Sequence, residues 1–400
     1  MCENLSDPAW LTLIGLGEDG LAGLHDASRK ALHDAQLIFG GPRHLTLVNA
    51  GPRGRAWPVP FSIEPVLRAR GKRVVVLASG DPFWHGAGGS LTQHLTPAEW
   101  QCFPALSCVA LAAAHLGWRA QDVQAVALHA APFEHLIAHL NAGQRLFCTL
   151  RDGLAPRALA QWLTQQGFGA SRMTLLAALG GPREQIHTSR ADRFDLPQTP
   201  APVMVALQIE GRAGLPQSPG RDADLFAHDG QITKGPMRAL TLAALAPRAG
   251  QHLWDIGAGS GSVSVEWALA ATGASSSAVE PRADRIQNIT ENARRFGLLD
   301  RITPHLGAAP QIFPQLPPPD AVFLGGGGSE SLFRALWDIL PPGTRVVANA
   351  VTLQSQALLT RWQDAQGGSL MKIDLAMAQP LGRGQGWQAA RSQLQWSVLR

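Results

Sequence analysis

The amino-acid sequence predicts an α/β protein built from two domains. Short apolar runs alternate along most of the chain with segments whose apolar residues recur at helical spacing, which is the pattern of strands and helices that follow one another in turn. In each half, one apolar run leads directly into a glycine-rich turn, at residues 15–20 and 257–261. Residues 211–230 are rich in glycine and proline and lack periodic apolar positions, so we expect a linker there between domains 1–210 and 231–400.

The composition indicates an ordinary globular chain. Of its 400 residues, 45% are hydrophobic and 16% are charged, which is enough apolar material for a core in each domain. No uninterrupted apolar stretch approaches the roughly 20 residues that a membrane helix needs, and residues 1–4 do not begin a signal peptide, so we expect a cytoplasmic location and no membrane partner. The net charge of +4, carried mainly by arginine, favours an anionic ligand. No basic run interleaved with aromatic residues is present, which argues against nucleic acid.

The first half opens with a strand at Leu11–Ile14, and a second strand is predicted at Gln36–Phe39. A helix is expected near Ile63–Arg70. The all-apolar run Val74–Ala78 is typical of a strand that a parallel sheet buries on both faces. It breaks at Ser79–Pro82, at the carboxyl end of a strand, where open α/β sheets collect ligands. Later apolar runs predict further strands, at residues 123–128, 146–150, 173–177 and 203–209.

The second half alternates more regularly. Strands are predicted at residues 253–256, 277–280, 302–306, 321–324, 345–348, near 371–377 and at 394–399. Helices are predicted at residues 237–245, from 262 onward, and at 283–296, 332–339 and 356–362. The last two strands are joined without a clear helix, so we expect a doubly wound, mostly parallel sheet with an antiparallel edge strand.

The glycine turn of the second half favours S-adenosylmethionine over NAD. NAD-binding turns use Gly-x-Gly-x-x-Gly, and here the last position is Ser262. Asp255, just before the turn, suits a ligand with an ammonium or sulfonium group, and Glu280 ends the next strand, where doubly wound folds hold ribose hydroxyls. The turn at residues 15–20 does match the dinucleotide spacing, but the strand after it ends in Gly40 and supplies no acid for a ribose.

Several motifs of the second half belong together. They are Ile232-Thr233-Lys234 with Arg238, Asp255–Gly261, Asp320–Gly326 and Val347–Leu353. Through them the second half resembles the CbiT-like class I methyltransferases of cobalamin synthesis. The resemblance implies a Rossmann-like domain with a seven-stranded, mostly parallel sheet that binds S-adenosylmethionine.

The first half carries a different set of motifs. They are Gly15–Gly20, Gly40–Leu45, Leu77–Phe83 and Leu179–Pro182. With them the first half looks like the CbiE-like tetrapyrrole methylases, which implies a fold of two α/β subdomains. Enzymes that join both halves in this order methylate a precorrin, a cyclic tetrapyrrole, at carbons 5 and 15, and decarboxylate the acetate on carbon 12. The resemblance assigns carbon 5 to the first half and the other two steps to the second, and it implies a homo-oligomer.

The site residues follow from these resemblances and from the acids above. Cofactor-binding positions are Gly15, Gly17, Gly80, Asp81, Pro82, Thr233, Asp255, Gly257, Ala258, Gly259, Ser260, Gly261, Glu280, Gly307, Ala308 and Ala309. The family has an aspartate where this chain has Ala308, so backbone groups must contact the adenine there. Lys234 and Arg238 are expected to be catalytic. Arg43, His44 and Arg383 are expected to donate charge-assisted hydrogen bonds to substrate carboxylates.

Other functions are compatible with parts of this pattern. An NAD-dependent oxidoreductase is the first alternative, and the cobalt-bearing version of the same methylations is the second. A tetrapyrrole-binding scaffold with decayed methylase domains is the third, although both glycine turns are intact. No metal site is expected: His135 and His139 stand four apart, but Glu134 precedes them, so the order of a zinc-protease motif is missing.

Overall fold

A computed structural model describes residues 9–326 and 328–400. The beginning of the expected first domain, residues 1–8, lies outside the described residues. The chain divides into two compact units, the first made of Met1–Phe133 with His139–Ala213 and the second of Glu134–Ala138 with Gly214–Arg400.

The first unit contains two five-stranded sheets. The strands are β1 Leu11–Leu16, β2 Leu37–Gly40, β3 Gly54–Ala56, β4 Val74–Ser79, β5 Trp100–Phe103, β6 Gln124–Leu128, β7 Arg145–Leu150, β8 Arg172–Ala177, β9 Gln185–Arg190 and β10 Val203–Gln208. The helices are α1 Asp26–Asp34, α2 Pro42–Leu47, α3 Glu64–Leu67, α4 Ala87–Thr92, α5 Cys108–Leu116 and α6 Ala155–Gln165. The first sheet has the order β3-β2-β4-β1-β5 and is parallel throughout. The second has the order β6-β7-β10-β8-β9, in which only β6 and β7 pair in parallel. The two α/β subdomains expected from the sequence are confirmed.

Burial explains why some strands are predicted from the sequence and others are not, although β6 was predicted and has only one buried residue. β1 is buried along its whole length, and β4 is buried up to its last residue, because each lies inside a sheet whose two faces are covered. The strands β3, β5 and β9 lie at sheet edges, have no continuous buried run, and were not predicted. The helix expected near Ile63–Arg70 is present but short, as α3.

The second unit is a doubly wound sheet. Its strands are β11 His252–Ile256, β12 Ser275–Glu280, β13 Ile302–Leu306, β14 Ala321–Leu324, β15 Arg345–Ala350, β16 Ser369–Ile373, β17 Ala376–Leu381, β18 Gly384–Ala389 and β19 Gln393–Leu399. Its helices are α7 Gly235–Leu245, α8 Ser262–Ala270, α9 Ala283–Arg295, α10 Glu330–Ile339 and α11 Leu353–Gln366. Seven strands form one sheet in the order β13-β12-β11-β14-β15-β19-β16, which confirms the expected seven-stranded, mostly parallel sheet.

Two details of this unit differ from the sequence-based expectation. The antiparallel strand β19 is not at the edge, because β16 pairs with it on its outer side. The hairpin β17–β18 was not predicted, since its residues are largely exposed and give no buried alternation.

The segment predicted as a linker, residues 211–230, is also more ordered than expected. From Gly214 onward it belongs to the second unit, and Leu215, Leu225 and Phe226 pack in a core cluster with α8 and α9. Glycine and proline residues predict an irregular backbone, but they do not indicate whether the neighbouring side chains pack in a core.

Candidate active sites

In the second unit, the glycine turn after β11 has the conformation that its residues predict. Gly257, Gly259 and Gly261 have φ angles of 70°, 59° and 71°, in the left-handed region that side chains other than glycine disfavour. A Cβ at Gly259 would meet no atom within 4 Å, whereas one at Gly261 would lie 3.0 Å from Ile289 Cγ2. Gly261 therefore allows close packing against α9, and Gly259 leaves open space for a ligand.

The acid at the end of β12 is joined to this turn. The Gly259 amide donates a hydrogen bond of 2.8 Å to Glu280 Oε2, and the Arg282 amide donates one of 3.2 Å to Oε1. Glu280 is buried, yet each oxygen retains a further lone pair for a ligand hydroxyl. The structure thus brings together the glycine turn and the acid that the sequence paired.

Asp255, expected to contact the cofactor, is almost completely buried. Its Oδ2 accepts hydrogen bonds from the Ser264 hydroxyl at 2.7 Å and from the Ser264 amide at 3.2 Å. Oδ1 is buried with no hydrogen-bond partner among the described residues. Burial raises the pKa of Asp255 to about 6, and the nearby Glu280 carboxylate adds to the rise. The expected ligand contact therefore rests on Oδ1 alone.

The loops that follow β13 and β14 lie at the same end of the sheet as the glycine turn and Glu280. The Gly307 amide, after β13, donates to the Glu280 carbonyl at 3.1 Å. Gly326, after β14, places its carbonyl oxygen 3.4 Å from the position of a Cβ on Gly257. Ala308 and Ala309 follow Gly307 and have side chains without polar groups, so only their backbone is available to a ligand.

A cavity of about 510 Å³ opens beside Gly326, at the ends of β14 and β15. Asn349 lines it, and its side chain is held by two neighbours: its Nδ2 donates to Thr241 Oγ1 at 2.9 Å, and its Oδ1 accepts from Gln395 Nε2 at 3.0 Å. The charged side chains that line the cavity are those of Arg361 and Glu330. Sequence analysis singled out the motifs 320–326 and 347–353 that line this cavity, but it assigned no site residue there, because these segments carry no paired charges.

Arg238 is not placed for the catalytic role expected of it. Its side chain is fully buried, and its Nε donates to Glu266 Oε1 at 3.0 Å. The remaining nitrogens donate to the carbonyl oxygens of Thr233 and Arg221. With its donors engaged and no exposed surface, Arg238 anchors the backbone around Thr233 instead of contacting substrate. Lys234, at the start of α7, is exposed.

Glu266 is the partner that sequence reasoning missed. It lies in the middle of α8 and is fully buried. Besides Arg238, its carboxylate accepts hydrogen bonds from the backbone amides of Gly220 at 2.6 Å and Arg221 at 3.0 Å. A single charge inside a helix with no other charged residue was the available signal, since a buried charge needs a partner.

In the first unit, a cavity of about 600 Å³ has walls from both sheets. Gly17 and Gly80, expected to bind the cofactor, and Arg43 and His44, expected to bind the substrate, line it. Gly15, also expected to bind the cofactor, does not line the cavity but lies next to Leu16 and Gly80, which do. A Cβ on Gly15 would lie 1.8 Å from the Gly80 carbonyl oxygen, so this glycine of β1 allows the loop after β4 to pass close to the strand.

Asp81 and Pro82 do not line that cavity. Asp81 Oδ1 accepts the Phe83 amide at 2.8 Å, an arrangement that shapes the turn after β4. Pro82 is buried in the same turn. Their contribution is therefore to the shape of the loop that carries Gly80.

A buried carboxylate holds the basic residues of this wall. Glu18 forms ion pairs with Arg43 and, at 2.9 Å, with Arg183. Two guanidinium groups on one carboxylate leave a positive charge in excess, which suits an anionic substituent of a substrate. Sequence reasoning named Arg43 but missed Glu18 and Arg183, which are far apart in the chain.

His44 requires a correction. Burial and the neighbouring Arg43 guanidinium lower the pKa of His44 to about 4, so the ring is neutral at neutral pH. Its Nε2 lies 2.9 Å from Ser79 Oγ. A neutral imidazole makes an ordinary hydrogen bond, and the charge-assisted donor on this wall is Arg43. Arg383, between β17 and β18, is exposed and lines neither of the two cavities described.

Comparison with known proteins decides the family. The tetrapyrrole (corrin/porphyrin) methylase model matches residues 11–195, and the precorrin methyltransferase domain model matches residues 224–400. A precorrin-6Y C(5,15)-methyltransferase [decarboxylating] from Sinorhizobium sp is 44% identical over 404 residues, 98% of this chain and 98% of that protein. The chain belongs to the precorrin-6Y C(5,15)-methyltransferase (decarboxylating) family. It is accordingly a methyltransferase of cobalamin synthesis that also decarboxylates, which confirms the expectation from the sequence and decides against an NAD-dependent oxidoreductase.

Other relatives of this family are similar over the whole chain or one half. The protein of the same name from Mycobacterium tuberculosis (strain H37Rv) is 37% identical, over 98% of this chain and 100% of its own length. Among solved structures, the C-terminal domain of precorrin-6Y C5,15-methyltransferase from Rhodobacter capsulatus is 60% identical, with a TM-score of 0.45, and covers 46% of this chain and 100% of its own.

Two further observations concern other kinds of site. Within residues 9–326 and 328–400, no group of three or more His, Cys, Asp or Glu side chains is arranged to hold a metal ion. In the same part of the chain, every helix is too short or too polar to span a bilayer.

Proposed function

We propose that each unit of this precorrin-6Y methyltransferase binds one S-adenosylmethionine and that the units divide the reactions. The first unit methylates carbon 5, and the second decarboxylates the acetate on carbon 12 and methylates carbon 15. The observation that carries this proposal is that each unit has its own glycine turn and its own cavity, of about 600 and about 510 Å³. Gly17 lines the first cavity, and Gly326, whose carbonyl oxygen lies next to Gly257, lines the second. Methyl transfer depends chiefly on alignment and exclusion of water, so two such sites suffice without a catalytic triad.

In the second unit, the residues present fit S-adenosylmethionine. The open space over Gly259 accepts a ligand against the backbone, Glu280 offers lone pairs to ribose hydroxyls, and the orphaned Asp255 Oδ1 suits an ammonium group. When bound, this group supplies a methyl on a positively charged sulfur. The chain's own residues hold it beside the cavity lined by Asn349 and Arg361, where we place the acceptor carbon.

In the first unit, Gly17 and Gly80 provide the close backbone approach, and the apolar side chains Trp57 and Leu77 line the same cavity. We propose that Arg43, held by Glu18, binds a carboxylate of the tetrapyrrole. Lys234 is proposed as a charge-assisted donor to a carboxylate in the second unit, because it is exposed at the start of α7.

We propose the metal-free precorrin as substrate, because the full-length relatives bear that name, whereas the relatives named for cobalt-precorrin match about a third of the chain. Turnover of metal-free and cobalt-bearing substrates by the same preparation distinguishes the two. A cytoplasmic homo-oligomer stays the expectation for the assembled enzyme.

The experiment that tests the division is calorimetric titration of the intact chain with S-adenosylhomocysteine. We expect about two sites per chain, since each unit carries its own site, and no heat of binding with NAD. A single site would mean that one unit has no cofactor site, and the proposal of two methylating units would fail.

Glu280→Ala is expected to weaken cofactor binding in the second unit by about 1–3 kcal/mol, because it removes charge-assisted hydrogen bonds. Methylation at carbon 15 should fall, while methylation at carbon 5 stays as in the wild type. The matched control is Asp284→Ala, four residues further on, whose exposed carboxylate pairs with Arg282. Equal loss at both carbons in a folded Glu280→Ala protein would contradict the division.

A further inference from the structure

Two histidines on the wall of the first unit's cavity have no role in the function described so far. His85 lies in the loop after β4, in the first sheet, and His129 directly follows β6, in the second sheet. Both line the cavity, and their ring centroids are 5.8 Å apart at an interplanar angle of 74°. The pair therefore joins the two subdomains at the place where the substrate is expected.

His129 is oriented by a neighbour on the adjacent strand. Its Nδ1 lies 3.3 Å from Thr149 Oγ1 on β7, and Thr149 lines the same cavity. When Nδ1–H donates to this hydroxyl, Nε2 carries the lone pair. Burial, together with the nearby His85, lowers the pKa of His129, so the ring is neutral at neutral pH and able to accept a proton.

His85 is held in an unusual backbone conformation. Its φ angle is 53°, in the left-handed region that costs a residue with a Cβ free energy and is found disproportionately at functional sites. The ring is placed edge-on to Trp84, with centroids 4.8 Å apart, and edge-on to His129 on its other side. This conformation directs the His85 ring to His129 and limits the positions that the His129 ring adopts.

We propose that His129 Nε2 is the base that accepts the proton released when carbon 5 is methylated, with Thr149 and His85 as positioning residues. This inference rests on the proposed function of the first unit. The acceptor carbon forms a bond to the methyl carbon while the methyl–sulfur bond breaks and its electron pair stays on sulfur. The hydrogen on the acceptor carbon then leaves as a proton to Nε2, and its bonding electrons restore the conjugation of the macrocycle. No oxidant or reductant is needed.

The test uses the full-length enzyme and follows carbon 5 and carbon 15 separately. General-base catalysis typically contributes 10²–10⁴-fold, so His129→Gln should lower the rate of carbon-5 methylation about a hundredfold or more and leave carbon 15 unchanged. His115→Gln, on the exposed end of α5 and outside the cavity, is the matched control. Titration with S-adenosylhomocysteine should still give the wild-type number of sites.

A second measurement separates proton transfer from a structural effect. With deuterium on carbon 5, the isotope effect on methylation should be larger in His129→Gln than in the wild type, because proton removal becomes the slow step. Added imidazole should restore part of the rate. Thr149→Val should lower the rate and Thr149→Ser should restore it, since serine keeps the hydroxyl.

The inference is overturned if His129→Gln methylates carbon 5 within about threefold of the wild-type rate, or if its isotope effect stays unchanged while the rate falls. The proposed function has its own test in Glu280→Ala. If that variant keeps carbon-5 methylation and His129→Gln keeps it too, only the role of His129 is refuted. If Glu280→Ala loses carbon-5 methylation, the division between the units is refuted.

Discussion

Arg238→Met is expected to lower the free energy of unfolding of the second unit by about 3–5 kcal/mol, because it removes the nearer guanidinium partner of the buried Glu266 carboxylate, at 3.0 Å, and leaves only Arg221 among the described residues, at 3.9 Å. Glu266 has no exposed surface, and Arg238 is the group that donates to it through a guanidinium nitrogen at 3.0 Å. Urea denaturation of the whole chain, followed by amide hydrogen exchange in peptides from each unit, measures this effect separately for the two units.

The control for this prediction is an exposed arginine of the same unit. Arg295 on α9 pairs with Glu291 at 2.7 Å in solvent, so Arg295→Met should change stability by less than about 1 kcal/mol. Adding Glu266→Leu to Arg238→Met should not recover the loss, because buried Arg221, whose guanidinium lies 3.9 Å from Glu266 Oε2, then loses its carboxylate partner. If Arg238→Met unfolds at the wild-type urea concentration, the anchoring role is wrong.

This anchor explains why a residue expected to be catalytic is buried. The Glu266 carboxylate binds the backbone at Gly220 and Arg221, and Arg238 extends the network to the Thr233 carbonyl. The resemblance places Thr233 beside the cofactor, and Lys234, expected to be catalytic, follows it directly in the chain. A buried network that fixes this segment therefore orients the site without contacting substrate.

The strands that could be predicted are those whose burial requires a continuous run of apolar residues. β4 and β14 are apolar at nearly every position because both faces of their sheets are covered, and their ends mark the loops that carry the sites. The hairpin β17–β18 has no such run, since most of its residues are exposed. Its existence depends on pairing between the strands, which no single run of residues reveals.

The site was predictable where backbone geometry selects the residue type, as at Gly257 and Gly259, and where an acid ends a strand, as at Glu280. It was not predictable where residues distant in the chain meet. Arg183 reaches Glu18 across 165 positions, and the neutrality of His44 follows from burial and from Arg43. The charge of a histidine depends on its surroundings in the folded protein. The residue type alone therefore led to the wrong expectation that His44 is a positively charged donor.

Asp255 is expected to make the stability of the second unit depend on pH. Burial raises its pKa from 3.8 to about 6, so the folded state binds this proton more tightly than the unfolded state does. The resulting stabilisation is fully present below pH 3.8 and is lost as the pH rises through 6, because the folded protein must then hold a buried carboxylate. At 1.36 kcal/mol for each unit of pKa, the loss is about 3 kcal/mol.

The difference between wild type and Asp255→Asn isolates this effect from other titrating groups. Asparagine keeps the acceptor for Ser264 and carries no charge, so the stability of the variant relative to wild type should rise by about 2.5 kcal/mol between about pH 4 and about pH 7.5. Denaturation at both pH values measures it, with Asp284→Asn, an exposed carboxylate, as the control. A difference that is the same at both pH values would mean that Asp255 stays ionised in the folded protein, and its unpartnered Oδ1 would then require a permanent cationic partner.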